Sequence, residues 1–244
     1  MPSFQWPEGI ETALSLSFDD GRPSQVENGF PLLEECGVRA TFYVCPDAVE
    51  ARLEDWQALH AAGHEIGNHT VSHPCSGNFD FCRDNALEDY DLDGIEGEIL
   101  ACNARIQNNF GMRPQTFAYP CGQTFVGRGV AVKSYVPVVA KHFFAGRGFP
   151  SEYHNAPAHC DLAQLNGVSL DQQRFEEILT RIDVARNDGG WLVLAGHDAG
   201  PQDAHQVCRT DMLRALCDHA RDPKNRIWID TVATIAQYVQ GQRQ

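Results

Sequence analysis

Short apolar runs of strand length alternate with stretches of helical periodicity along most of this 244-residue chain. The first run, residues 13–18, ends at the polar turn formed by residues 19–21. The helical stretch that follows, Phe30–Cys36, stops at Gly37, a typical C-cap residue. Strands that alternate with helices are typical of a parallel sheet with crossover helices, so the pattern predicts an α/β fold.

The same pattern of apolar runs and helical periodicity predicts the remaining strands and helices. Further strands are expected at residues 39–44, 65–67, 116–118, 142–145, 191–195 and 226–229. Further helices are expected at residues 53–62, 90–110, 128–140, 170–187, 208–221 and 231–240, with a long loop at 146–169. Single α/β barrels reach about 250 residues, and no linker or repeat divides the chain, so one domain over 1–244 is predicted.

Charge and composition restrict the classes of partner. The chain has 33 acidic and 19 basic residues, a net charge of −14, without a basic patch. Such a field repels nucleic acid and anionic membranes, and we predict neither as a partner. No apolar stretch approaches the roughly 20 residues of a membrane span. Nothing in the sequence indicates an oligomeric state.

The N-terminus and the cysteines suggest a cellular location. The first 18 residues lack the basic and apolar regions of a secretory signal. The nine cysteines include no CxxC pair. We therefore expect free thiols in a reducing compartment, the cytoplasm, with disulfides as the alternative.

Polar residues follow several of the predicted strands. Asp19-Asp20, His69, Tyr119-Pro120 and His197 each lie just beyond an apolar run. Because the carboxyl ends of the strands of an α/β barrel form one face, these residues are expected to form one site.

Two of these clusters are candidates for metal binding. In residues 67–73 two histidines, His69 and His73, are four positions apart, which on a helical turn places both rings on one face. Asp20 would complete a set of three ligands with an open position, the pattern of a catalytic zinc site. Taken alone, the histidine spacing is also compatible with chance, and Asp-Asp-Gly with a solvated turn.

Three motifs resemble those of a known family. S-F-D-D-G at residues 17–21, H-T-V-S-H at 69–73 and L-A-G-H-D at 194–198 are similar, in order and spacing, to motifs of the polysaccharide deacetylases, carbohydrate esterase family four. The segment F-A-Y-P-C-G at 117–122 is similar to the F-A-Y-P-x-G subset of that family.

The resemblance implies a distorted (β/α)7-type barrel that hydrolyses acetyl groups. It implies Zn²⁺, or another divalent ion such as Co²⁺ or Ni²⁺, held by Asp20, His69 and His73. Asp19 would be the general base that takes a proton from the attacking water, and His197 the general acid for the leaving group. The oxyanion donor would be the backbone N–H of Cys121.

The chain also departs from the family pattern. Ala118 stands where the family usually has an arginine that orients the base. Arg147 is a candidate replacement that would pair with Asp19; the alternative is an arginine that anchors a loop. The fourth family motif, Asp-x-x-Asp-Trp, is not recognisable, although Asp161 lies in that region without a following tryptophan.

The predicted substrate contacts follow from the same motifs. Tyr119, Pro120, Leu194 and Arg147 are expected to contact the substrate. Ala195 occupies the position of the usual family leucine, with Leu194 one step earlier, so the pocket for the acetyl methyl group is expected to differ.

The predicted function is removal of acetyl groups from N- or O-acetylated sugars, with an acetylated carbohydrate as the partner. The alternatives are a related metal-dependent amidohydrolase that cleaves a non-sugar amide, and a sugar-binding protein that has lost catalysis. Retention of Asp19, all three metal ligands and His197 argues against the last.

Overall fold

The computed structural model describes residues 4–243, and alternating strands and helices account for most of them. The strands are β1 (Thr12–Phe18), β2 (Thr41–Val44), β3 (Glu65–Asn68), β4 (Thr116–Ala118), β5 (Phe125–Val126), β6 (Lys133–Ser134), β7 (Ala145–Arg147), β8 (Val168–Ser169), β9 (Trp191–Gly196), β10 (Asp198–Gly200), β11 (Val207–Arg209) and β12 (Ile227–Ile229). The helices are α1 (Phe30–Cys36), α2 (Pro46–Glu50), α3 (Leu53–Ala61), α4 (Leu92–Phe110), α5 (Val136–His142), α6 (Phe175–Asn187), α7 (Thr210–Arg221) and α8 (Val232–Gln242).

Eight strands form one parallel sheet. Its order is β7-β4-β3-β2-β1-β9-β8, and β12 pairs in addition with the start of β1. Arg147 at the end of β7 forms an ion pair with Asp19 just beyond β1, although three strands lie between them in the sheet order. This contact shows that the sheet is curled. The curled parallel sheet confirms the predicted distorted (β/α)7-type barrel.

The two faces of the sheet differ in chemistry. Leu14, Leu16 and Phe18 of β1 belong to the apolar core that also includes buried residues of α1, α3 and α7. The alternate residues Ser15 and Ser17 of the same strand are also fully buried. Since neighbouring side chains of a strand point to opposite faces, the helices cover an apolar outer face and the barrel interior is partly polar.

The prediction of a helix over 128–140 is wrong for its first half. Gly127 and Gly129 have φ of +84° and +54°, conformations outside the right-handed helical region. Residues 125–134 instead form a hairpin of β5 and β6, and the helix runs over Val136–His142. The helix predicted at 170–187 likewise begins only at Phe175, and the predicted loop at 146–169 contains the end of β7 and all of β8.

The expectation that all cysteines are free thiols is wrong for two of them. Cys75 and Cys121 form a disulfide across a sequence separation of 46, and the other seven are free. Sequence spacing gives no sign of this pair because its two loops meet only in the folded barrel.

A search of the described residues finds no helix long and apolar enough to cross a membrane.

Glu65, the first residue of β3, is half-buried, and its carboxyl group joins three other elements at the amino ends of the strands. Its Oε2 accepts hydrogen bonds from Thr41 Oγ1 of β2 at 2.8 Å and from the backbone N–H of Ala233 in α8 at 2.9 Å. Its Oε1 accepts a hydrogen bond from Thr116 Oγ1 of β4. Burial raises the pKa of Glu65 above its usual value, although these three donors act to lower it. The carboxyl group thus links neighbouring strands to the closing helix.

Glu65→Ala should destabilise the fold, because it leaves three buried donors without an acceptor. We expect a loss of about 3 kcal/mol in the free energy of unfolding, measured by urea denaturation. Glu54→Ala, at an exposed position of α3, is the matched control and should change it by less than about 0.5 kcal/mol. Equal stabilities of the two variants would contradict this role of Glu65.

Candidate active site

A cavity of about 740 Å³ lies at the carboxyl ends of the strands, as the sequence pattern predicts. Its walls carry the residues that follow β1, β2, β3, β4, β7 and β9. These are Asp19, Asp20, Arg22, Cys45, His69, His73, Tyr119, Cys121, Gly122, Phe149, Pro150 and His197, together with Phe79, Phe81, His205 and Gln206. Its size is typical of small-molecule sites.

Asp20, His69 and His73 lie together in this cavity. The Nε2 atom of His69 is 3.6 Å and that of His73 is 3.5 Å from Asp20 Oδ1. These separations are long for hydrogen bonds. They suit a shared ion, because a tetrahedral zinc with bonds of about 2.0–2.2 Å has neighbouring ligand atoms about 3.3–3.6 Å apart. The three side chains therefore fit a divalent metal ion.

The loop that carries the two histidines is not a helical turn, so the geometric reason given for their proximity is wrong. Residues 69–73 form an irregular loop after β3, in which Thr70 and His73 have φ of +65° and +50°. Asn68 Oδ1 accepts a hydrogen bond from the N–H of Thr70, and Thr70 Oγ1 accepts one from the N–H of His73. These local side-chain bonds bring the two rings together, with centroids 4.8 Å apart.

Hydrogen bonds orient the candidate ligands. His69 Nδ1 is 2.8 Å from the carbonyl oxygen of Ala118, which fixes Nδ1 as the protonated nitrogen and leaves the Nε2 lone pair free. Arg22 donates to Asp20 Oδ2 from Nε and Nη2 at 3.0 and 2.8 Å, so Oδ1 alone faces the histidines. The sequence analysis did not identify Arg22. Its position two residues after the candidate ligand Asp20 is the one feature of the sequence that could have indicated it.

Electrostatics favour the ligating forms of these side chains. Burial acts to raise the pKa of Asp20, but the hydrogen bond and charge of His69, with His73 and Arg22, hold it well below its usual range. Burial, together with the neighbouring His69, lowers the pKa of His73 to about 4. At neutral pH the site therefore offers a carboxylate and a neutral imidazole, as metal binding requires.

Asp19 is paired with Arg147. Arg147 Nη2 donates to Asp19 Oδ1, and both side chains are buried. The guanidinium carbon lies 5.2 Å from the centroid of the Tyr43 ring and 6.0 Å from that of Phe149. Gly167 leaves room for it, since a Cβ there would lie 2.5 Å from Arg147 Cδ. The structure thus places Arg147 on the carboxylate of Asp19 and not on a loop surface.

His197 is held by Asp171, a residue that sequence reasoning missed. Asp171 Oδ2 lies 2.6 Å from His197 Nδ1, and its Oδ1 accepts a hydrogen bond from the His197 backbone N–H. Asp161, which lies in the region of the fourth family motif, caps the short turn Leu162–Gln164. Like the other site residues, Asp171 is a polar residue that closely follows a strand. That strand, β8, has only two residues and gives no recognisable pattern in the sequence.

The surroundings of His197 favour its protonated form. Burial acts to lower its pKa, but the hydrogen bond of Asp171 and the negative charge of Asp19 raise it above the usual value. Because Nδ1 faces Asp171, Nε2 is the nitrogen left to transfer a proton.

Only some of the other residues predicted to contact the substrate line the cavity. Tyr119 and Cys121 line it, and Cys121 adopts a left-handed conformation with φ of +52°. Pro120 is buried and is not among the lining residues. Leu194 is fully buried in the outer apolar core, because strand alternation turns it away from the barrel interior. Its predicted contact with substrate is therefore wrong.

Comparisons with known proteins agree on one family. A family model described as polysaccharide deacetylase matches residues 8–131. Chitin deacetylase 1 of Cryptococcus neoformans is 31% identical over 185 residues, which are 75% of this chain and 36% of that protein. The matched part of the chain spans 10% to 36% of the length of three curated relatives, this one included.

Two solved structures share the fold. One, from Mycobacterium smegmatis and assigned to the polysaccharide deacetylases, has a TM-score of 0.71 and 18% identity and covers 100% of this chain and 96% of its own. The other, the Puue allantoinase, has a TM-score of 0.68 and 13% identity and covers 97% of this chain and 92% of its own.

Asp171→Asn should shift the pH dependence of catalysis. The variant loses the negative charge that favours protonated His197, so the pKa of His197 should fall. Since the acid must carry its proton to act, the alkaline limb of the profile of kcat/KM against pH should move to lower pH. Asp161→Asn is the control, because Asp161 has no contact with His197, and should leave that limb in place. An unchanged alkaline limb in Asp171→Asn would show that His197 is not the acid.

Proposed function

Because the chain belongs to the polysaccharide deacetylase family, we propose that it is a metal-dependent hydrolase that removes acetyl groups from N- or O-acetylated sugars. The observation that carries this proposal is the grouping of Asp20, His69 and His73 beside Asp19 and His197 in one cavity. Three ligands, a base and an acid are the groups that metal-assisted acyl hydrolysis needs.

Asp20, His69 and His73 would hold the metal ion. Two imidazole nitrogens and one carboxylate oxygen suit Zn²⁺, and also Co²⁺ or Ni²⁺. When bound, the ion supplies Lewis acidity that polarises the acyl carbonyl and makes water more acidic.

Asp19 is the general base in this proposal. It lines the cavity next to Asp20, and its carboxylate accepts the proton of the attacking water. The buried guanidinium of Arg147 holds this carboxylate in one orientation and supplies the positive charge that the usual family arginine would bring to it. Arg147 is thus a positioning residue, not a direct contact of the substrate.

His197 and Cys121 complete the proposed chemistry. His197 Nε2 gives its proton to the departing amine or alkoxide, while Asp171 keeps the ring oriented and stabilises the imidazolium. The backbone N–H of Cys121 donates to the acyl oxygen as negative charge develops on it. A backbone donor needs no particular side chain, so a cysteine at this position is compatible with the role.

The cavity mouth is compatible with a carbohydrate. Phe79, Phe81 and Phe149 line it, and Phe79 and Phe81 are 41% and 70% exposed. Exposed aromatic rings at a binding site offer flat apolar surfaces against which the apolar face of a sugar ring packs. The Cryptococcus relative is a chitin deacetylase by name, which agrees with an acetylated sugar as substrate.

A second candidate is a metal-dependent amidohydrolase that acts on a non-sugar amide. The fold similarity to an allantoinase over 97% of the chain favours it, as do the departures from the family pattern at Ala118 and in the fourth motif.

The cytoplasmic location stays a prediction. The disulfide between Cys75 and Cys121 is more typical of an oxidising compartment.

Acetate release from a substrate panel separates the two candidates. The purified protein, loaded with Zn²⁺, is offered chitooligosaccharides, acetylated xylan and small cyclic amides. We expect acetate from at least one acetylated sugar and no ring opening of the amides, measured by an enzymatic acetate assay and by mass spectrometry. Turnover of the cyclic amides alone would support the second candidate instead.

Two substitutions test the assignments within the site. Asp19→Asn should retain the metal and lose about 10²–10⁴-fold in kcat, because the base is removed while all three metal ligands stay. His69→Ala should lose both metal and activity, because a ligand is removed. Metal content by atomic emission and kcat are measured side by side for each variant. Normal turnover in Asp19→Asn would contradict its role as base.

A further inference from the structure

A disulfide joins the loop that carries the two candidate histidine ligands to the loop that carries the proposed oxyanion donor. The loop after β3 holds His69 and His73 and continues to Cys75, and the loop after β4 contains Cys121. Cys75 is fully buried, and its carbonyl oxygen accepts a hydrogen bond from the N–H of Leu87 at 2.9 Å. The covalent link therefore starts from an anchored residue and ends at the proposed donor.

The disulfide also contacts a candidate metal ligand. His73 Nε2 faces Asp20 Oδ1 at 3.5 Å, while its Nδ1 lies 3.6 Å from Cys75 Sγ. In the other histidine ligand, His69, the corresponding Nδ1 faces the carbonyl oxygen of Ala118. The partner of the second ring nitrogen orients a ligating histidine, and behind His73 that place is occupied by a disulfide sulfur.

The other end of the disulfide fixes the turn at Cys121. This residue has φ of +52°, which is uncommon for a residue with a side chain. The next residue, Gly122, packs so closely that an added Cβ would lie 1.4 Å from the carbonyl oxygen of Phe149. The turn is thus held on one side by this backbone contact and on the other by the bond to Cys75.

We propose that the Cys75–Cys121 disulfide is a positioning element of the active site, and that its reduction reversibly lowers turnover. The bond sets the distance between the ring of His73, a candidate metal ligand, and the backbone N–H of Cys121, the proposed oxyanion donor. This inference rests on the proposed function for its kinetic consequence. Its effect on the binding of zinc is independent of that function.

A phosphine reductant tests the proposal on the wild-type protein. The disulfide oxidises the phosphine: the phosphine attacks one sulfur and the S–S bond breaks. Water then supplies the oxygen atom of the phosphine oxide, and its two protons go to the two thiolates. A thiol reductant is avoided because dithiols bind zinc. The other seven cysteines are already free, so the reagent acts on this bond alone.

The expected result has three parts. Mass spectrometry after alkylation should show two additional thiols. Zinc affinity, measured by competition with a chromophoric chelator, and kcat should each fall about 10–100-fold, the usual effect of losing a group that orients a metal ligand. KM should change less, and reoxidation with a low-molecular-weight disulfide should restore kcat. All assays are run below the onset of unfolding, checked by circular dichroism.

Variants separate positioning from general stability. Cys75→Ala/Cys121→Ala should have the low kcat of the reduced protein and should not respond to phosphine. Cys160→Ala is the matched control, because Cys160 is a free cysteine outside the cavity. It should keep both full activity and the phosphine response. If the double variant does not fold, reduction of the wild-type protein still gives the answer.

Two outcomes would overturn the proposal. One is an unchanged kcat and zinc affinity in the folded, reduced protein; the other is a loss that only follows the unfolded fraction. Failure of the proposed function has a different signature, namely no acetate release in either redox state. In that case the change in zinc affinity on reduction still decides whether the disulfide positions the metal site.

Discussion

The buried ion pair between Asp19 and Arg147 is the contact on which the site most depends. It joins the end of β1 to the end of β7 across the barrel, and both charges are withdrawn from water. Removal of one partner would leave an uncompensated buried charge, a cost of about 3–5 kcal/mol. The curl of the sheet brings the two residues together, and their contact orients the proposed base. At the amino ends of the strands, Glu65 links β3 to its two neighbours β2 and β4.

Several site residues occupy left-handed backbone conformations that side chains usually avoid. Asp20, Thr70, His73 and Cys121 all have φ between +50° and +75°. Each such residue costs on the order of 1–3 kcal/mol and persists only where its surroundings determine it. Here those surroundings are specific: Arg22 on Asp20, side-chain hydrogen bonds in the histidine loop, and a disulfide at Cys121. The strain lies where ligands and donors must converge on one point.

Much of the fold could be predicted from the sequence because its signals are local. Strands such as Thr116–Ala118 and helices such as Phe30–Cys36 are confirmed at their predicted bounds, since hydrophobic periodicity and flanking glycines act over a few residues. The prediction of a helix at 128–140 is wrong where glycines with positive φ favour a hairpin. Short strands such as β8 give too little periodicity to detect, so Asp171, which follows it, was missed.

The sequence by itself determined the alternation of strands and helices and the placement of polar residues at strand ends, because both are properties of short segments. Only the tertiary structure decided which partners those residues have. The pairs Asp19 with Arg147, His197 with Asp171, and Cys75 with Cys121 join residues 128, 26 and 46 positions apart. Such pairs form only when parallel strands bring their ends to one edge of a curled sheet, and no local pattern encodes the curl.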